Sequence, residues 1–359
     1  MFLDDAFAGR CARAASEIVA QLADPARRAA LERAIPERFA GGDDALPQFA
    51  VVDFAVVRDA DGSFVPRLVE LQGFPSLAAF EVLQSDAWLA TLAGIEGFGR
   101  DLTPWFGGLD RAAFLALARR TIVGDADPAE TVLLDLEPRA QKTYCDFAAT
   151  ERLFGIESCD PRDLYVRDRR TYRRDASGRE RRVTRVYNRI VGDDLLRDDV
   201  ALAFDVRDDI GVTWAAHPRW FWAWSKASLP HLAHEAVPET TLVSELERVP
   251  PDLERYVLKP LFSFAGAGVN LHPTRADIER IPAHERAGWC VQEKIVYDPA
   301  LEAADGGWVK LEIRVMLLRP DDEAELVPAT NLCRLSRGEM IGVDYNRDRT
   351  WVGSSVALW

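Results

Sequence analysis

Nowhere in the chain do about 18 apolar residues follow one another, so nothing reads as a membrane-spanning helix. Cysteine is sparse: Cys11, Cys145, Cys159, Cys290 and Cys333 show no CxxC spacing and no cysteine–histidine pattern. That argues against a zinc site and a disulfide framework, and for reduced thiols. The five histidines (217, 231, 234, 272 and 284) have no serine–aspartate or ligand context around them. The opening MFLDDAFAGR lacks the apolar stretch of a signal peptide. There is no internal repeat and no low-complexity tract, and a net charge of −14 gives no global field to attract a phosphate backbone. The expectation is a soluble cytoplasmic protein that engages neither membrane nor nucleic acid. What is present is ordinary: 359 residues, 48% apolar and 28% charged, room for a large core and two or three lobes.

Residues 5–40 carry apolar positions such as Ile18, Val19 and Leu22 at helical spacing, which predicts helix until Gly41-Gly42-Asp43-Asp44 breaks it. Strands are predicted over 49–57 and 67–71 around a turn at Asp61-Gly62, then helices over 76–94 and 108–120. The run from Val132 to Leu136 reads as a buried strand and 141–154 as a helix, together an α/β lobe. Residues 162–197 hold twelve arginines against six acidic residues around a turn at Asp175–Gly178. This segment reads as an exposed basic hairpin, either a solvated face or an electropositive rim facing an anionic substrate. Strands are also expected over 256–260, 290–295 and 309–318. The tryptophans at 214, 220, 222 and 224 suit core packing better than base stacking, and Lys142, Lys294 and Lys310 read as surface residues.

Chemistry gathers in the second half. A β-rich segment from Tyr256 ends in Lys259 and runs into a small-residue loop with Gly266 and Gly268. Glycine lets backbone N–H groups approach a polyphosphate closely, and the ammonium supplies a mobile charge. The pattern is neither a P-loop nor a dinucleotide GxGxxG, so alone it could equally be a glycine-rich hairpin. Upstream lies Lys226, before Pro238 and Thr240. Downstream come Gln292, Glu293 and Ile295 on a short strand, then Glu312-Ile-Arg314-Val on a strand of alternating character.

This order of parts, over roughly 215–359, resembles the ATP-grasp superfamily. The resemblance implies that Lys226 and Lys259 contact ATP phosphates, that the Gly266 and Gly268 loop closes over them, and that Gln292, Glu293 and Ile295 form the adenine-side hinge. For the metal two sets compete: Asp344 and Asn346 near the end, which equally suit a turn, and Asp53, Glu70 and Gln72 far upstream. The upstream segment, with Pro75 and Ser76 trailing it, resembles the circularly permuted ATP-grasp enzymes of the glutathionylspermidine synthetase type. Side chains at 70 and 72 share one strand face, and Asp53 on a neighbouring strand can join them as oxygen ligands for Mg²⁺. Gln72 stands where that family has asparagine, which loosens the geometry or cedes a ligand to water. Arg189, alone in an apolar strand, Arg314 and Arg334 are candidates to hold an acyl phosphate, with structural ion pairs as the alternative.

The resemblance implies an α/β (α+β) ATP-grasp fold of permuted connectivity. The expected lobes are 1–125 with the metal strands, 126–212 with the basic hairpin, and 213–359 for the nucleotide. It implies an ATP- and Mg²⁺-dependent ligase joining a small-molecule or peptide carboxylate to an amine through an acyl phosphate. A phosphotransferase on the same fold, or an ATP-binding scaffold without catalysis, stand as alternatives.

Overall fold

The computed structural model describes residues 1–359 apart from 43–45, 98–100, 176, 198–199, 263–267, 343–344 and 347–348. Helix α1 (Asp5–Leu22) starts where the Asp4 carboxylate accepts the Phe7 N–H, and it buries Phe7, Cys11, Ile18 and Leu22 along one stripe. The expected long helix breaks at Asp24-Pro25, where a second cap opens α2 (Pro25–Glu32). Strand β1 (Phe49–Arg58) is buried except at its last residue. The turn before Ser63, with Gly62 at φ 85°, leads to β2 (Phe64–Gln72). Helices α3 (Ala78–Ala93) and α4 (Arg111–Ile122) follow, the latter capped by Asp110.

The middle of the chain alternates β3 (Thr131–Leu134), α5 (Tyr144–Phe154) and β4 (Glu157–Cys159). Strands β5 (Leu164–Arg167), β6 (Arg170–Arg174) and β7 (Glu180–Val183) then form a small antiparallel sheet. It contains the expected basic hairpin, and many of its arginines are matched: Arg167 to Glu180 at 2.8 Å, Arg181 to Asp175 at 2.8 Å. After it come β8 (Arg185–Asn188), α6 (Gly192–Arg197) and β9 (Thr213–Ala215), which complete a parallel sheet of order β4-β3-β8-β9.

The last part holds α7 (Arg219–Ala223), β10 (Thr240–Leu242), β11 (Tyr256–Pro260), α8 (Arg275–Glu279), β12 (Trp289–Glu293), β13 (Leu301–Glu302), β14 (Trp308–Leu318), β15 (Val327–Ser336) and β16 (Gly353–Ser355). Trp220, Trp222 and Trp224 are core residues, at most 3% exposed. Strands β10, β12 and β11 make a three-stranded sheet packed on α8. The largest sheet runs β16-β15-β14-β1-β2, with β13 beside β14, so its strands come from both ends of the chain. The sheet thus draws strands from both the 1–125 and the 213–359 stretches. Among the described residues no helix is long and apolar enough to cross a membrane.

Alternation decides what each face of that sheet does. Ala50, Val52, Phe54 and Val56 face α1 together with Ile313 and Val315. Phe49, Val51, Met316 and Leu332 face the other way, into a core shared with α3 and α4. Asp53 follows Phe49 and Val51 on that second face, and Arg314 is its direct partner on β14. Beyond the reach of α3 this polar part of the face is left as the floor of a cleft.

Candidate active-site cleft

The cleft, of about 430 Å³, lies between that floor and the inner face of the β10-β12-β11 sheet. Six separate stretches of chain meet in it. Strand β2 supplies Glu70 and Gln72, the turn after α7 supplies Lys226, β11 and β12 supply Lys259 and Gln292, and β14 and β15 supply Glu312, Arg314 and Arg334. Glu293, Ile295 and Tyr297, on the stretch linking β12 to the floor, close one side.

Lys226 reaches the floor because of a glycine. Gly73 donates its N–H to the Trp224 carbonyl at 2.6 Å, and a Cβ on Gly73 would lie 2.6 Å from the Trp224 Cβ. Only glycine lets the end of β2 approach this closely. Two residues on, Lys226 Nζ stands 3.1 Å from a Glu70 carboxylate oxygen. Lys259 is fixed from the opposite wall: its Nζ donates to Gln292 Oε1 at 2.5 Å and to the Val69 carbonyl at 3.3 Å. Burial pulls the Lys259 pKa below its ordinary value, only partly offset by Cys290 and Glu70. An anionic ligand would reverse that penalty. Gln292 in turn donates to Thr240 Oγ1 at 2.9 Å, so its amide is held at both ends.

The floor is a charged network. Asp53 is 1% exposed; Arg314 Nε and Nη2 donate to its two oxygens at 2.7 Å each, and Arg334 Nη2 adds a third bond at 2.5 Å. Burial would raise the Asp53 pKa, but the two guanidiniums outweigh it and hold the carboxyl below its usual range. Arg314 Nη1 also donates to Ser76 Oγ at 2.9 Å, tying the floor to the start of α3. Arg334 contacts Glu312 at 2.8 Å, and Glu312 accepts a short bond from the Tyr297 hydroxyl. Tyr297 has its pKa pushed well up by burial and by Glu312.

Of the residues singled out in sequence, Glu70, Gln72, Lys226, Lys259, Gln292, Glu293, Ile295, Arg314 and Arg334 line this cleft. Arg189 does not. It is 5% exposed and ion-paired with Asp146 of α5, its guanidinium over the Phe147 ring. That is a structural pair inside the core, which corrects the expectation of a phosphate contact. Gly268 is described, with φ 73° and a Cβ position 3.0 Å from Pro260 Cγ, while Gly266 lies outside the described residues. Asp344 also lies outside them. Asn346 is 4% exposed and donates to the Met340 and Gly342 carbonyls at 2.6 and 2.9 Å, which is turn chemistry.

The set expected for Mg²⁺ fits only in part. Glu70 and Gln72 face the cleft, but both oxygens of Asp53 are engaged by arginines. Among the described residues no group of three or more His, Cys, Asp or Glu is arranged to hold a metal. Tyr297 was missed by sequence reasoning, and Glu312 was read only as part of the charged strand Glu312-Ile-Arg314-Val, without a role of its own. The alternation of Lys310, Glu312 and Arg314 was the available signal, and Lys294 and Lys310, expected on the surface, line the cleft as well.

No family model matches the chain, and no curated protein matches it. Among solved structures it is similar to a glutathione synthetase-like effector from Globodera pallida in its apo form, with a TM-score of 0.59 and 11% identity. The match covers 99% of this chain and 88% of that one. The likeness is one of fold: a mixed helix-and-sheet architecture shared over nearly the whole length.

Proposed function

We propose that this chain is an ATP-grasp enzyme of permuted connectivity that ligates a carboxylate to an amine at the expense of ATP. The observation that carries the reading is the convergence of Lys226, Lys259, Gln292, Arg314 and Arg334, from separate segments, on one cleft between two sheets. The shared fold of a glutathione synthetase-like effector supports the ligase class. Permuted connectivity is supported by the place of the β1–β2 hairpin, beside β14 in the same sheet.

In this reading Lys226 and Lys259 meet the phosphates, and the stretch from Glu293 to Ile295 borders the adenine. Glu70 and Gln72 are the residues that would meet a divalent ion, whose chemistry is to neutralise phosphate charge. A carboxylate oxygen of the substrate attacks the γ-phosphorus, the bond to the β–γ bridging oxygen breaks, and ADP leaves with that electron pair. The amine nitrogen then attacks the acyl carbon, the carbon–oxygen bond to phosphate breaks, and the amine loses a proton. Arg314 and Arg334 stabilise the oxygens of the transferring group through fixed N–H donors, so catalysis rests on charge complementarity and alignment and not on a protein nucleophile.

Incubation with ATP, Mg²⁺ and pooled carboxylates and amines tests this. Ligation gives ADP, free phosphate and an amide in equal amounts. A phosphorylated product without free phosphate would make the chain a kinase. Nucleotide binding with no turnover would favour a scaffold, the reading that Gln72 in asparagine's place most nearly suggests.

A further inference from the structure

In the floor network Asp53 stands directly opposite Arg314 on β14 and Glu70 on β2, so strand register itself sets a buried carboxylate between a guanidinium and a second carboxylate, both of which line the cleft. Both of its oxygens are engaged, by a two-pronged pairing with Arg314 and a further bond from Arg334 on Oδ2. Parallel N–H donors on one carboxylate are among the strongest and most directional of protein hydrogen bonds. A divalent ion on Asp53 would compete with them for the same two oxygens and would sit, about 2 Å from one of them, beside two guanidiniums. Glu70, by contrast, is partly exposed to the cleft, and its ion pair among the described residues is with Lys226. Among the described residues the buried Nε of Arg334 meets no hydrogen-bond acceptor.

We propose that Asp53 is a positioning residue and not a metal ligand: it holds Arg314 and Arg334 as a rigid guanidinium pair on the cleft floor, presented to an oxyanion. Its metal half rests on the nucleotide-site reading above; the anchoring of the arginines does not. Freely rotating arginines would lose side-chain entropy each time they met a ligand. Anchored ones lose it once, on folding.

The test is NMR of ¹⁵N-arginine-labelled protein, with the Arg314 Nε–H signal identified by its absence in Arg314→Lys. In the wild type that signal is protected from solvent exchange, and saturating ATP with Mg²⁺ leaves it protected. Asp53→Asn exposes it to exchange, while Mn²⁺ affinity in the presence of a non-hydrolysable ATP analogue stays within about threefold of wild type. Glu70→Gln does the reverse, keeping the protection and lowering Mn²⁺ affinity tenfold or more. If Asp53→Asn does not fold, Asp53→Glu, which keeps the charge but shifts the carboxylate, is read in the same way. Loss of protection on adding Mg²⁺ and ATP, or a tenfold loss of Mn²⁺ affinity in a folded Asp53 variant, overturns the proposal. If no nucleotide binds, the ATP reading falls, and retained protection in Asp53→Asn would then overturn the anchoring on its own.

Discussion

Lys259 Nζ donates to the backbone carbonyl of Val69 at 3.3 Å, a bond spanning 190 residues of chain. It joins the wall of the cleft to its floor, and it places the lysine where a triphosphate lying between the two sheets would meet it.

Replacing that lysine tests the nucleotide site. Lys259→Ala is expected to weaken ATP binding about 10- to 100-fold, the value of one or two charge-assisted bonds. Calorimetric titration measures it, with circular dichroism to confirm the fold. Unchanged affinity in a folded variant would remove Lys259 from the phosphates.

The two candidate metal segments give opposite mutant patterns. Glu70→Ala should cut Mg²⁺-dependent ATP turnover by about 100-fold or more, because the triphosphate charge is then poorly neutralised. Asp344→Ala should change it little, and Gln72→Asn should keep or raise it. A fully active Glu70→Ala beside an inactive Asp344→Ala would move the metal to the C-terminal segment.

Arg189 should matter to stability and not to the nucleotide. Arg189→Ala leaves Asp146 buried without its partner, a loss of about 3–5 kcal/mol. Asp146→Ala should cost a similar amount, and the double variant less than the sum. Denaturant unfolding gives these values. A nucleotide affinity that falls in a well-folded Arg189→Ala would contradict the structural role.

Glu81, on the first turns of α3, is 0% exposed, and among the described residues neither of its oxygens has a hydrogen-bond partner. Burial, and then Asp146, push its pKa well above the ordinary 4.5, against an opposing pull from Arg314. A carboxyl raised on folding favours the native state fully below pH 4.5, and that advantage is lost as pH rises toward the folded value. Glu81→Gln should therefore melt close to wild type near pH 4 and a few degrees higher at pH 8. Melting curves across that range decide it; a variant less stable at pH 8 would mean that Glu81 carries a paired charge.

Much of the local structure was legible. β1 and β2 announce themselves through β-branched and aromatic residues on either side of Asp61-Gly62, and α3 follows its helical spacing. The cleft residues were legible as a succession of types along the chain. Pairings between distant segments were not. Nothing near Arg189 points to Asp146, 43 residues upstream on another element, and nothing near Asp53 shows that register delivers Arg314 to it across 261 residues. An arginine in an apolar strand signals only that a partner exists, not where it lies. Glu81 was invisible for a related reason: a lone acid in a helix reads as solvent-facing until packing shows that its side is covered.

The place of β1 between β2 and β14 also sets a schedule for synthesis. With 261 residues between Asp53 and Arg314, and translation at about 5–20 residues per second, β1 waits roughly 10–50 seconds for its second neighbour. Through that interval Phe49–Arg58 is an apolar strand with one edge unpaired, the kind of segment that recruits other chains. Asp53 is its single acidic residue, charged in water until the arginines arrive. The carboxylate locked into the cleft floor of the finished protein is, in the nascent chain, the one charge that interrupts the apolar run from Phe49 to Val57.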